Sequence, residues 1–307
     1  MVWLKALISA CIFLAAIYLL DVDQLIASTK NLQLSTILFS VLFNITLFSI
    51  LGYRWHVMLC RLKVTSFKES INEYCKATYL NFFTPANIGG DVYRFSRAKS
   101  RNIQKKNIIE LLLKERVVGL FSYLLIYCVA AILSLELIDL DPDNPFNYGL
   151  IIAVLVLSTP LYIRFLISIC SGIRAPFFLR ALKIAQILQL FFSSTRDQLL
   201  VFLTFISFSS WLVGAWLITQ DLGLSIPILE LTAIIVLVEL ARLIPVTVQG
   251  IGIREALFAF LVGWLGYDAE PAFVAGTAIY IMLSISIILM GPISYFFVFS
   301  EGEGNVG

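Results

Sequence analysis

Apolar residues run almost unbroken through six stretches of the 307-residue chain, at about 3–20, 35–56, 108–135, 148–170, 198–219 and 272–299. Each approaches the ~20 residues an α-helix needs to cross bilayer hydrocarbon, so six spanning helices are predicted. Two further stretches are apolar but interrupted. Residues 72–84 are too short and too polar to span, and they end at Pro85 with Gly89 and Gly90 just beyond. A segment that enters from the cytoplasm and turns back over 85–90 is predicted there. Residues 228–246 are long enough to cross, whereas 253–266 are short, and their neighbours Asp221 and Asp268 belong to predicted outer loops. A re-entrant pair dipping from the outer side fits that arrangement. The predicted fold is therefore all-α: a polytopic transmembrane helical bundle with two broken, re-entrant segments, one from each face, in an inverted pseudo-repeat. A single integral membrane domain over residues 1–307 is expected, with no soluble catalytic domain.

Composition and charge placement sharpen this picture. The chain is 60% hydrophobic and 14% charged, against about 25% charged in ordinary soluble domains. Lys5 precedes the first apolar run, and Lys and Arg are dense from Arg54 to Arg116 and again from Arg164 to Arg196. The segment 135–163 carries Glu136, Asp139, Asp141 and Asp143 with no Lys or Arg. Cytoplasmic loops hold the basic residues, so the N-terminus and both basic loops are expected in the cytoplasm of a multi-pass cell (inner) membrane protein. The first run closes on Leu19-Leu20-Asp21-Val22-Asp23, without a small-x-small cleavage site, and is expected to be a retained span. The basic stretch 94–107 sets topology and offers attraction to anionic lipid headgroups. Residues 174–197 alternate apolar and basic, as an amphipathic helix in the cytoplasmic interface would. The five cysteines have no C-x-x-C spacing, and neither a disulfide framework nor a metal site is expected.

The two interruptions carry the candidate chemistry. The first reads Asn81-Phe-Phe-Thr-Pro85-Ala-Asn-Ile-Gly89-Gly90-Asp91-Val-Tyr-Arg94 and the second Leu243-Ile-Pro245-Val-Thr-Val-Gln-Gly250-Ile-Gly252-Ile-Arg254-Glu255. Hydrocarbon cannot satisfy free backbone groups, so broken helices persist only against protein or a water-filled cavity. Two such breaks in opposite halves of a chain are a sequence pointer to a transport-type site. Pro85, Gly89, Gly90, Pro245, Gly250 and Gly252 supply the break backbone. Arg94, Arg116, Arg242 and Arg254 sit where lipid would not tolerate them alone, each with an acid close by: Asp91, Glu115, Glu239 and Glu255. Asp91 with Arg94 and Glu239 with Arg242 share a helix face at i,i+3 spacing. Glu115 and Glu255 stand next to their arginines in sequence, about 100° around the helix, and are expected to pair with other helices. Structural ion pairs that fix helix packing would give the same pattern. The functional alternative is an anionic headgroup held by forked arginines and by exposed N–H groups at the breaks, with the helix starting near Gly252 aimed at it.

Other signals are weaker. His56 is the one histidine and lies beside Trp55 at a membrane edge, as an interfacial residue does. Asp21-Val-Asp23 has the acidic D-x-D form that some membrane glycosyltransferases use in a first outer loop. No nucleotide-binding or dinucleotide fingerprint is present.

At these motifs nearly the whole chain resembles the lysylphosphatidylglycerol synthase transmembrane region family, flippase-like membrane proteins. The resemblance rests on Tyr53-Arg54-Trp55, Asn81…Pro85…Gly89-Gly90-Asp91…Arg94, Glu115-Arg116-Val-Val-Gly119 and Pro245…Gly250-Ile-Gly252-Ile-Arg254-Glu255. Val248-Gln249-Gly250 stands where the family usually has Pro-Gly-Gly or Ser-Gly-Gly. The resemblance implies a helical bundle that moves a lipid or presents one to a partner. Relatives of this length look similar to proteins of polysaccharide or glycan assembly systems. The expected function is translocation of an anionic phospholipid or a polyprenyl-phosphate-linked glycan, passive or ion-coupled. Arg94, Arg116, Arg242 and Arg254 would bind the headgroup, oriented by Asp91, Glu115, Glu239 and Glu255. No cofactor, no metal and no nucleic acid are expected; the partners are the membrane lipid and a lipid- or glycan-modifying enzyme. The larger relatives carry an aminoacyl-transferase domain after the membrane part; here Glu301–Gly307 follows the last span, and aminoacyl-lipid synthesis is not expected of this chain. The alternatives are a glycosyltransferase using a polyprenyl-phosphate sugar, with Asp21, Asp23 or Asp91 as its acid, and a non-catalytic subunit of an envelope assembly complex.

Overall fold

The computed structural model describes residues 10–15, 17–60, 66–84, 88–134, 137, 144–169, 195–242, 247 and 249–302. Residues 10–15 and 17–18 are helical. They are followed by α1 (Val22–Thr29), α2 (Leu34–Leu59), α3 (Phe67–Phe83), α4 (Ile88–Ser100) and α5 (Lys105–Leu133). Then come α6 (Pro145–Ile169), α7 (Thr195–Asp221), α8 (Ile228–Ala241), α9 (Ile253–Trp264) and α10 (Ala269–Gly302). No strand occurs among the described residues. The helices α2, α5, α7 and the Ala269–Pro292 part of α10 are long and apolar enough to cross a membrane. They coincide with four of the six predicted spans. The fifth, 148–170, falls on α6, and the start of 3–20 lies outside the described residues. So do Pro85, Pro245, most of the acidic loop 136–147 and the amphipathic stretch up to residue 194.

Local signals fix the short helices. Asp21 caps α1, its Oδ1 accepting from the N–H groups of Asp23 (2.9 Å) and Gln24 (3.3 Å). Ser66 and Glu69 form a reciprocal capping box at the start of α3. Burial separates inside from outside. Leu231, Ala233, Ile234, Ile235, Val236 and Val238 are all fully buried, so α8 is enclosed by protein on every side. By contrast Leu38, Phe39 and Leu42 of α2 and Ile281, Ile285 and Ile288 of α10 face outward. In hydrocarbon those residues meet lipid.

Hydrogen bonds near helix ends define two ends of the bundle. At one, the Gln33 N–H donates to Asp221 (3.0 Å) and the Tyr267 hydroxyl donates to the Ser225 carbonyl (2.9 Å). At the other, the opposite end of the 26-residue α2, about 39 Å away, His56 Nδ1 meets Ser70 Oγ (3.0 Å) and Arg101 donates to Glu73 (2.6 Å). α8 leaves the first end and α9 returns to it, because Ser225 and Tyr267 are bonded. With 14 residues, α8 is about 21 Å long, short of the ~30 Å hydrocarbon thickness. α3 leaves the second end and α4 returns to it, closed by Arg101 and Glu73. Two re-entrant hairpins thus enter from opposite ends, as the sequence predicts.

Their tips touch. The Gln249 side-chain amide donates to the carbonyls of Asn81 (2.8 Å) and Phe82 (3.2 Å), among the last carbonyls of α3. The last carbonyls of a helix lack i+4 partners; Asn81 is met by the Thr84 N–H (3.3 Å), and the second break adds a donor to it and to Phe82.

Candidate functional site

A cavity of about 460 Å³ lies where the hairpin tips meet. All eight charged residues picked out in the sequence line it: Arg94, Arg116, Arg242, Arg254, Asp91, Glu115, Glu239 and Glu255. They come from α4, α5, the end of α8 and the start of α9. A ninth, Arg54 from the last turns of α2, completes the set. Five arginines therefore face four acids.

The charges form two similar clusters. In the first, Glu115 is shared between Arg94, through Nη1 and Oε2, and Arg54, whose Nη2 is 3.6 Å from Oε1. In the second, Glu239 is shared between Arg242 (2.9 Å) and Arg254 (3.4 Å). One acid serves two guanidiniums in each, and over the whole cavity, with Asp91 and Glu255 counted, one positive charge is left in excess. Aromatic faces support both. The Arg94 guanidinium carbon stands 4.4 Å from the centre of the Trp55 ring, and that of Arg254 stands 4.6 Å from Tyr280. A desolvated cation on an aromatic face gains up to about 2 kcal/mol, which holds the side chain in place without neutralising it.

Among the described residues, the Nε atoms of Arg54, Arg94, Arg242 and Arg254 are buried with no hydrogen-bond partner, as is the Tyr280 hydroxyl. A buried, unpaired donor costs about 1–3 kcal/mol, more when charged. Four such donors on one cavity favour an acceptor-rich, negatively charged occupant. Apolar side chains, including Leu47, Phe48, Leu283 and Ile287, line the rest of the cavity. The chamber therefore offers charge and hydrocarbon together.

Several sequence expectations need correction. Asp91 pairs with Arg116, not with Arg94. The i,i+3 pairing is overridden because Glu115 reaches Arg94 from α5, and Arg94 is 4% exposed while Arg116 is about half exposed. Glu239 and Arg242 pair as expected, and Glu115 does pair across helices. Glu255 instead turns back on its own helix, its Oε2 accepting from the Gly252 N–H (2.7 Å). The N-terminal amides of the broken helices are likewise spoken for. Gly252 is held by Glu255, Gly89 by Thr84 Oγ1 (2.9 Å) and Gly90 by Asn81 Oδ1 (2.7 Å). A carboxylate already occupies the positive end of α9, so anion binding falls to the guanidiniums.

The break glycines answer to geometry. A Cβ on Gly90 would stand 2.3 Å from the Ala77 carbonyl, so only glycine lets α4 pack back on α3. Gly250 has φ +82°, and a Cβ there would meet the Arg254 Nε at 2.9 Å. Its absence makes room for the guanidinium. Of the D-x-D pair, Asp21 is a helix cap, and neither Asp21 nor Asp23 lines the cavity.

Residues that the sequence left without a role are Arg54, Trp55, Tyr280 and Gln249. Arg54 belongs to a family motif and begins the basic stretch assigned to the cytoplasmic side. Its neighbour Trp55 is fully buried, which no interfacial residue is. Gln249 adopts φ +56°, the left-handed region where glycine is normal.

The family model described as the lysylphosphatidylglycerol synthase TM region matches residues 2–291. The chain belongs to this family. Membership makes it a membrane protein of lipid- or glycolipid-related processes and agrees with a helical bundle over almost the full length. No curated protein and no solved structure matches the chain.

Proposed function

We propose that this member of the lysylphosphatidylglycerol synthase TM-region family is a lipid translocator. It carries or presents a lipid with an anionic headgroup, an anionic phospholipid or a polyprenyl-phosphate-linked glycan, without itself transforming it. The observation that carries this reading is the pair of arginine clusters, each with more guanidinium than carboxylate, on one cavity whose remaining wall is apolar. Arg94, Arg254, Arg54 and Arg242 would bind the headgroup, and the half-exposed Arg116 would meet it first. Glu115 and Glu239 would keep the guanidiniums oriented, and Asp91 would do so for Arg116. Helix breaks at the meeting point of two opposed hairpins suit alternating exposure to the two faces, as in transporters built on inverted repeats.

The positive-inside pattern supports placing the Arg101–Glu73 end in the cytoplasm, with the N-terminus, in the cell (inner) membrane. A lipid- or glycan-modifying enzyme would act upstream or downstream of the translocator. The test is movement of a fluorescent anionic phospholipid across proteoliposomes holding wild type or the Arg94→Gln/Arg254→Gln double variant. Slowing of at least about tenfold in the variant is expected, equivalent to ~1.4 kcal/mol. Unchanged movement by a folded double variant overturns the proposal.

A further inference from the structure

We infer that the cavity is built for two linked phosphates, so that the group it holds is a diphosphate rather than a single phosphate. This deepens the anionic-headgroup reading above and rests on it. The two clusters repeat the same design: one shared acid, two guanidiniums, a buttressing aromatic and unpartnered Nε donors. They share one cavity. Tyr123 of α5 lines the same cavity. The hydrogen bonds of Gln249 to the end of α3 tie the hairpin tips together, which fixes the spacing between the clusters.

Donor matching decides between one phosphate and two. Each cluster presents two buried Nε donors without a partner, on Arg54 and Arg94 in the first and on Arg242 and Arg254 in the second. A single phosphate serves the donors of one cluster and leaves those of the other unpaired. A diphosphate brings a second set of acceptor oxygens for the remaining guanidiniums, in the forked geometry that arginine favours. The diphosphate could be borne by a prenyl lipid or be a soluble ion, and the test separates these sources.

The experiment titrates the full chain, in nanodiscs of zwitterionic lipid, with farnesyl diphosphate, farnesyl monophosphate, inorganic pyrophosphate and short-chain phosphatidylglycerol. Farnesyl diphosphate is expected to bind at least about tenfold more tightly than the monophosphate, the factor that one added charge-assisted hydrogen bond supplies. Arg94→Gln and Arg254→Gln, each removing a free Nε donor from one cluster, are each expected to reduce the diphosphate to monophosphate affinity. The wild-type comparison stands without these variants should either fail to fold. Pyrophosphate binding as tight as farnesyl diphosphate upholds the two-phosphate site and assigns it to a soluble ion. Equal, tight binding of the farnesyl monophosphate and diphosphate overturns the inference and leaves the anionic-headgroup reading intact. Absence of binding by all four probes overturns both.

Discussion

Removing an acid from the first cluster should hurt the fold far more than removing one of its arginines. Among the described residues, Glu115 is the one carboxylate in ion-pair contact with the buried Arg54 and Arg94. At 3.6 Å and an effective dielectric near 20, one such attraction is about 4–5 kcal/mol before desolvation is counted. Glu115→Gln leaves two buried guanidiniums facing each other with no counter-charge, and breaking a buried pair in this way costs about 3–5 kcal/mol. Arg94→Gln leaves a balanced Arg54–Glu115 pair and an unspent Trp55 face, a loss of roughly 1–2 kcal/mol from the cation–π contact. The assay is equilibrium unfolding in mixed micelles of zwitterionic detergent and SDS, reporting helix content. The expected order of stability is wild type, then Arg94→Gln, then Glu115→Gln, with about 2 kcal/mol or more between the two variants. Headgroup binding should be lost in Arg94→Gln although it is the more stable variant. Equal destabilisation by the two substitutions would refute the surplus-charge reasoning, because an ordinary structural ion pair loses the same partner from either side.

Three further outcomes follow from individual contacts. Gln249→Ala removes the bonds to Asn81 and Phe82 and keeps a side chain at φ +56°, so unfolding should come about 1–2 kcal/mol earlier. Gln249→Gly should recover part of that loss by relieving the left-handed backbone, by about 1 kcal/mol. Tyr280→Phe retains the ring under Arg254 and deletes a buried hydroxyl with no partner; stability should hold or rise while headgroup affinity, measured by titration in nanodiscs, falls. Gly90→Ala drives a Cβ into the Ala77 carbonyl, and size-exclusion and unfolding profiles should show a destabilised or misassembled first hairpin.

Much of this architecture is legible in the chain because hydrocarbon leaves a helix few options. Long apolar runs become α2, α5, α7 and α10, and the glycines of both interruptions lie at the starts of the short returning helices α4 and α9. The charged residues of the cavity are equally visible, since a charge beside such a break is expensive and stands out: all eight candidates line one cavity. What sequence spacing missed was partnership. Asp91 and Arg94 share a helix face, yet Glu115 on another helix takes Arg94, an outcome set by tertiary packing that i,i+3 geometry does not contain. Arg54 escaped notice because an arginine at the end of a span ordinarily reaches out to water, and only the complete burial of Trp55 marks this one as inward-facing. Gln249 was visible as a departure from the family pattern. Its purpose appears only when the second break is seen capping the end of α3.

The central claim is that a lipid anion occupies the arginine cavity, and mass spectrometry of co-purified lipids tests it most directly. Wild type and Arg254→Gln would be purified identically from the same membranes, with Arg254→Lys as a charge-retaining control. Enrichment of one anionic or polyprenyl-phosphate-linked lipid on the wild type, reduced in the lysine variant and absent in the glutamine variant, is the predicted result. Bulk membrane lipid in unchanged proportions on all three proteins would contradict it.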